Sequence, residues 1–377
     1  MVLTRRSFGL AAAGLLVAPC RAWAADPILV GMTLSVTGAG AEGGKLAANG
    51  ANLALDEVNK GGVLGRPLQI VAEDDQTTNP GTVLAFSRLA GRPETVAFIG
   101  PVRSTQVNSM APDVLKTGKP MMFGGTDPSL TRAGNRWLFR CRPNDSYSAK
   151  VIAEYGTKDL GRRKWAVVHT TDTFGSNGSK ALEAELKARG VPPLLMQGYT
   201  NGVADFSAVV LAVRQSGADL LATYFSLDTD LGIFARQLRQ LGAAMPWIGS
   251  ASIANVTTRN LAGPALYGTY GVADFAVEAN PASRSFAERY QAAYKGVPDL
   301  NAAWAYDAVH LLARAIRDAN STEPEAIRSA ILAIKGYLGA EGEYNFDANG
   351  DGLHGYNVVK NDGGTLAYVR RVDFPGE

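Results

Sequence analysis

The sequence predicts an α/β fold made of two similar lobes, each a doubly wound parallel sheet with helices on both faces. Three observations predict it. Short apolar runs of strand length alternate with stretches of helical periodicity along most of the chain, the pattern of parallel strands joined by crossover helices. The alternation restarts near Trp165 and runs through the same order a second time. The chain has 377 residues, 46% of them hydrophobic, enough for two separate cores at roughly 150 residues per domain.

Taken in order, residues 1–24 combine Arg5 and Arg6, an apolar run from Phe8 to Ala18 and the small-residue ending Ala22-Trp23-Ala24, the three parts of an export signal cleaved near Ala24/Ala25. The stretch Thr4-Arg5-Arg6-Ser7-Phe8-Gly9-Leu10 has the twin-arginine pattern. Ile28 to Thr33 then reads as a strand, Thr37 to Gly44 as a glycine-rich loop, and Ala51, Ala54, Leu55 and Val58 as a helix that Gly61-Gly62 ends. Leu68 to Ala72, Thr95 to Ile99 and Pro120 to Phe123 are the following strands, with helices over Val83 to Leu89 and Ser109 to Leu115.

The second round starts with the strand Trp165 to His169, a polar loop from Thr171 to Gly178, and a helix marked by Leu182, Leu186 and Ala188. Leu220 to Tyr224, the helix of Leu231, Phe234, Ala235, Leu238 and Leu241, and Trp247 to Ser250 mirror the stretch from Thr95 to Gly125. In doubly wound sheets small ligands bind beyond the carboxyl ends of the strands. The loops at those ends are therefore expected to face a cleft between the lobes: Thr37 to Gly44, Val102 to Gln106, Gly124 to Ser129, Thr171 to Gly178, Ser226 to Asp230 and Gly249 to Ile253.

Composition narrows the function. With 37 basic against 35 acidic side chains, a net charge of +2 and no basic block, the chain has no electrostatic footprint for nucleic acid or an anionic membrane surface. Cys20 and Cys141 are its two cysteines, so signal removal would leave one thiol and no internal disulfide. Gly38 to Gly43 satisfies G-x-G-x-x-G, but Leu34 to Thr37 separate it from the strand, against dinucleotide binding; no cofactor is expected. Asp347 to Gly352 opens like a calcium loop, yet its twelfth position is Val358, and a turn between strands at 342–346 and 356–360 fits better. His169, His310 and His354 lie at no metal-ligand spacing, and Cys141 has no assignable base; the chain is not expected to be an enzyme. Hydroxyls and glycines on the cleft loops remain: Ser104 and Thr105 after one strand, Gly124, Gly125 and Thr126 after the next. With the amides of a helix start, such groups can cradle a carboxylate.

The chain carries Gly50-Ala51 through Asn59-Lys60-Gly61-Gly62, Leu68 to Val71 with Asp74-Asp75, Ile99-Gly100 followed by Ser104-Thr105, Thr126 to Thr131, Phe139-Arg140, and Phe346-Asp347 with Gly350-Asp351. In this order and spacing they make the mature chain resemble the periplasmic leucine/isoleucine/valine-binding family, the type I receptors of branched-chain amino acid ABC importers. The resemblance implies a three-segment hinge, with residues 25–144 plus 274–350 as lobe 1 and 145–273 plus 351–377 as lobe 2. It also implies a periplasmic location, a monomer, and permease subunits in the inner membrane as partners. A ligand-sensing receptor of the same fold is the other functional class.

In that family a serine and a Gly/Ala-x-Thr segment hold the ligand carboxylate, which the resemblance places on Ser104, Gly124 and Thr126. The acidic residue and tyrosine that hold the amino group correspond to Ala251 and Leu227, both apolar. The first-lobe aromatic wall is replaced near Gly43, and Thr78 and Arg103 stand where the family's disulfide cysteines would be. A buried ammonium without an acceptor is strongly destabilising. Two ligand classes stay open: an amino acid whose ammonium meets Asp172, Asp228 or Asp230, or an aromatic or 2-oxo acid without an ammonium, walled by Phe174 and Tyr224. Arg103 and Ser250 are further candidate contacts.

Overall fold

In the computed structural model, residues 26–376 are described; the expected export signal, with its arginine pair and Cys20, lies outside them. β1 (Ile28–Leu34) is buried along its whole length because it pairs in parallel on both sides, with β2 (Leu68–Asp74) and β3 (Thr95–Ile99). That two-sided burial explains an unbroken apolar run where a half-exposed strand would alternate. Helices α1 (Ala41–Asn59), α2 (Asn79–Ala90) and α3 (Ser104–Thr117) make the crossovers, and β4 (Met121–Phe123) and β5 (Leu138–Arg140) complete a five-stranded sheet of order β2-β1-β3-β4-β5.

The chain then passes through α4 (Asp145–Glu154) into the second sheet. Here β6 (Trp165–Thr170), α5 (Thr173–Ala188), β7 (Leu195–Tyr199), α6 (Ser207–Gln215), β8 (Leu220–Tyr224), α7 (Asp228–Gln240), β9 (Trp247–Gly249), α8 (Val256–Ala262) and β10 (Tyr270–Ala273) repeat the design. The order β7-β6-β8-β9-β10 matches that of the first sheet strand for strand. The chain returns to the first lobe for α9 (Pro281–Tyr294), α10 (Leu300–Ala319), α11 (Pro324–Ala333) and the short pair β11 (Tyr337–Leu338) and β12 (Glu343–Tyr344). It crosses a third time into β13 (Gly355–Asp362) and β14 (Thr365–Asp373), which extend the second sheet antiparallel beyond β10.

Each lobe has its own core. In the first, α10 is buried on almost every side between α1 and the sheet, with Ala302, Trp304, Ala308, Leu311 and Ile316 packed against Ala47, Ala51, Ala54 and Val58. In the second, Trp165, Val167, Leu182, Leu186 and Leu220 fill one face of the sheet, and Phe206, Phe225, Phe234 and Trp247 the other.

Several sequence readings are corrected, the loops expected at Val102 to Gln106 and Ser226 to Asp230 among them, since α3 starts at Ser104 and α7 at Asp228. The glycine-rich stretch expected as a loop from Thr37 to Gly44 is helical from Ala41 onward. A Cβ on Gly44 would come within 1.9 Å of the Ser35 carbonyl oxygen, so glycine is required for α1 to start this close to β1. The polar loop expected over Thr171 to Gly178 is likewise mostly the first turns of α5, which Asp172 caps by accepting from the Gly175 amide at 3.0 Å. β7 and α6 went unassigned because β7 is only partly buried and shows no apolar run. The turn expected at Asp347 to Gly352 lies between two strands, β12 and β13, and since these belong to different sheets it is also a lobe crossing.

Candidate functional site

The strand ends of both sheets open on one cleft, lined from the first lobe by Thr33, Ser35, Gly43, Arg103, Ser104, Thr105, Thr126, Arg142 and Trp304 and from the second by Asp172, Phe174, Phe225, Ser226, Asp228, Ala251 and Asn255. The lobes touch across it: Arg103 Nη1 donates to the Ser226 carbonyl, and Asn177 Nδ2 donates to Asp127 Oδ2 at 2.7 Å.

The first-lobe wall offers hydrogen-bond donors. Ser104 stands at the first position of α3, a helix that no side chain caps. Its Oγ accepts from the amides of Thr126 at 3.0 Å and Asp127 at 3.1 Å, so with both lone pairs used its own proton is free for the cleft. Beside it, Thr105 Oγ1 and Arg103 Nε are buried with no partner among the described residues. A guanidinium, two hydroxyls and an open helix N-terminus converge, a surface suited to an anion.

Thr126 lines the cleft in a different role from the one expected. Its hydroxyl donates to Asp145 Oδ2 at 2.7 Å and its amide to Ser104, so it presents an oxygen that can accept. Burial pushes the Asp145 carboxyl up to about 7 against the lowering effect of the Thr126 and Ser148 hydroxyls. Gly124 and Gly125 lie behind the lining. Their carbonyls accept from Arg142 Nη1 at 3.0 Å and Arg140 Nη1 at 2.6 Å. A Cβ on Gly124 would sit 3.1 Å from the Trp304 ring, so the pair serves packing beneath the site.

The second-lobe wall offers acceptors. Asp228, at the first position of α7, accepts on Oδ1 from Asn255 Nδ2 at 2.9 Å and Thr258 Oγ1 at 2.6 Å, and its Oδ2 makes no hydrogen bond among the described residues. Donation of Nδ2 to a carboxylate fixes the Asn255 amide, because the flipped form would set oxygen against oxygen. Its Oδ1 is therefore a buried acceptor, and it has no partner among the described residues. Burial, and then the charge of Asp228, push the first-lobe Asp299 up to about 6; Asp299 stands behind the lining, its two oxygens accepting from the Val256 and Asn301 amides.

Of the other expected contacts, Phe174 and Ala251 line the cleft. Leu227 does not: it is the residue before α7, and the lining passes to Ser226 and Asp228 on either side. Tyr224 is fully buried behind Phe174, its ring centroid 5.8 Å away and its hydroxyl 3.0 Å from that of Ser148. Ser250 is also behind the wall, 3.3 Å from the Ser252 hydroxyl. Asp172 lines the cleft with both oxygens committed, to the Gly175 amide and to Asn201 at 2.9 Å. Asp230 instead accepts from the Gly202 amide at 2.9 Å, away from the lining.

The sequence reading missed Trp304, Arg142 and Asn255. Trp304 carried only a core signal, being one apolar residue in an amphipathic helix. Arg142 and Asn255 follow strands, but nothing local marks them as facing a ligand. Each histidine has a protein partner: His169 the Thr170 carbonyl at 2.9 Å, His310 Glu57 at 3.1 Å, and His354 the Asn345 carbonyl at 2.9 Å.

Comparison with known proteins agrees with this architecture. Residues 27–365 match the family model described as periplasmic binding protein. A Leu/Ile/Val-binding protein of Rhizobium johnstonii is 29% identical over 333 residues, covering 86% of this chain and 88% of that protein. Among solved structures, a leucine-binding protein of Thermotoga maritima superposes with a TM-score of 0.87 at 23% identity, covering 92% of this chain and 99% of the other. An ABC transporter solute-binding protein of R. palustris, in complex with benzoate, gives 0.85 at 19% identity, covering 92% and 96%.

Proposed function

This chain belongs to the periplasmic binding protein family, within its branched-chain amino acid group of non-enzymatic ligand carriers, and from that premise we propose that it captures a small amino acid between its lobes and hands it to the permease of an ABC importer. The location that goes with the family is the periplasm.

Ser104 carries the carboxylate half of this reading. A hydroxyl whose lone pairs are filled by two amides must donate, and it stands with Arg103 and Thr105 at an open helix start. Asp228 carries the ammonium half. It has a free oxygen, a neighbouring amide oxygen held as an acceptor, and no cation paired with it among the described residues. An ammonium there would compensate for the acidic group that Ala251 lacks. Phe174, Phe225, Trp304 and Leu300 supply an apolar wall for the rest of the ligand.

Binding would favour the state in which the walls meet, since donors and acceptors lie on opposite lobes; this is a population shift driven by contacts that need both. The test is calorimetry on mature protein, unfolded and refolded to shed carried ligand, with L-leucine and benzoate. Binding of L-leucine with benzoate silent is the expected outcome. Binding of benzoate alone returns the site to acids without an ammonium. Silence to both of these and to a wider panel of amino and 2-oxo acids overturns the reading.

A further inference from the structure

Two buried arginines, Arg140 and Arg142, begin the first crossing between the lobes, and they are built alike but finished differently. Arg140 Nε pairs with Asp351 of the third crossing at 2.8 Å, and its Nη1 holds the Gly125 carbonyl. Arg142 Nε pairs with Asp274 of the second crossing, and its Nη1 holds the adjacent Gly124 carbonyl. Each thus ties one of the other crossings to the loop beneath the cleft.

The first assembly is saturated. Asp351 accepts from Arg140 Nε and Thr131 Oγ1 on one oxygen and from Asn144 Nδ2 and Arg132 Nη1 on the other, and neither Arg140 nor Asp351 has an exposed side chain. The second is not. Among the described residues Asp274 Oδ1 has no partner, nor does either carboxylate oxygen of Glu341, which is buried against the same pair. Arg142 Nη2 makes no hydrogen bond among the described residues, and Arg142, unlike Arg140, lines the cleft.

We propose that Arg142 is a ligand-contacting residue that couples the bound carboxylate to the hinge. Resting on the carboxylate-receptor reading above, a ligand oxygen takes the free Nη2 while Nε keeps hold of Asp274. One rigid, planar group then bridges the ligand and the second crossing, and occupancy of the cleft fixes the relative position of two hinge segments. The Arg140–Asp351 pair, with no face on the cleft, is a pin that holds the hinge whether or not ligand is present.

The experiment compares the parent with Arg142→Lys, using L-leucine and benzoate as probes, calorimetry for affinity and small-angle scattering for the compaction that follows binding. Lysine keeps the charge beside Asp274 but lacks Nη2. The expected result for whichever probe the parent binds is at least a tenfold loss of affinity and a smaller ligand-induced fall in radius of gyration, with a melting midpoint close to the parent's. A second variant, Arg142→Gln with Asp274→Asn, removes both buried charges together and is expected to lose the same compaction. Arg140→Lys, as a control, should lower the melting midpoint and leave compaction at saturating ligand intact. Parent affinity and parent compaction in Arg142→Lys overturn the coupling alone. Silence of the parent to both probes and to the wider panel of amino and 2-oxo acids overturns the carboxylate reading together with it.

Discussion

The two walls of the cleft are the same piece of architecture used twice, with opposite charge. β3 and α3 in the first lobe occupy the place that β8 and α7 occupy in the second. The position before each helix is Arg103 in one and Leu227 in the other, and the first helical position is Ser104 in one and Asp228 in the other. An uncapped helix start carries partial positive charge on its free amides, and serine leaves that charge available while adding a donor. Aspartate at the equivalent place offsets the same charge and leaves an acceptor in the cleft. A repeated fold therefore gives a polar axis, donor at one end and acceptor at the other, by changing the residues at two neighbouring positions of one helix start.

The strongest way to break this comparison is Asp228→Ala. It should weaken L-leucine by about 3 kcal/mol or more, the scale for stranding one partner of a buried ion pair, and leave any benzoate binding unchanged in calorimetry. Equal loss for both ligands would show that Asp228 supports the wall without touching an ammonium. Next in size is Ser104→Ala, expected to cost either ligand roughly 1.5–3 kcal/mol, as for a hydrogen bond to a charged group. A ligand-selective effect there would break the assignment of the donor end.

The dependence on pH sharpens the same contrast. Asp299, pushed up to about 6 by burial and by Asp228, gains a proton as the solution is acidified through that value, so L-leucine affinity should fall between pH 7 and pH 5 by a part that Asp299→Asn removes, while the part due to Asp145, pushed up to about 7 beside Thr126, remains. The folded chain holds this proton more tightly than the unfolded one. The contribution of Asp299 to stability therefore declines as pH rises from about 4 to about 6, and Asp299→Asn should flatten that part of a melting-point profile. The smallest expected effect is that of Thr126→Ala on the carboxylate, under about 1 kcal/mol, because the hydroxyl donates to Asp145 and has no proton to give the ligand. A loss on the scale of Ser104→Ala would mean that Asp145, which holds its proton up to about 7, donates to Thr126 and frees its hydroxyl.

Strand and helix periodicity was sufficient to read the fold as two doubly wound lobes, because buried parallel strands such as Trp165–Thr170 and Leu220–Tyr224 declare themselves by composition alone. Helix starts were read late, at α1, α3 and α5, since their first turns are polar, or glycine-rich in α1 and α5, where they meet the cleft. The sequence reading, part of it by family resemblance, pointed to Ser104, Thr126, Phe174 and Ala251, and all four line the cleft. It did not distinguish a residue on the lining from one just behind it, so Gly124, Gly125, Leu227, Tyr224 and Ser250 were grouped with them.

What the sequence by itself determined is therefore the architecture, the repeat and the loops that meet, each a property of neighbours along the chain. Only the tertiary structure decided which polar atoms are already satisfied. Asp172 is spent on a helix cap and on Asn201, Asp228 keeps one oxygen free because Asn255 and Thr258 both bind the other, and Arg142 reaches the cleft because Asp274, 132 residues away, takes only one of its nitrogens. A hydrogen-bonding group is available to a ligand only when no other part of the fold has claimed it. Those claims come from residues far apart in the chain, beyond the reach of any local pattern.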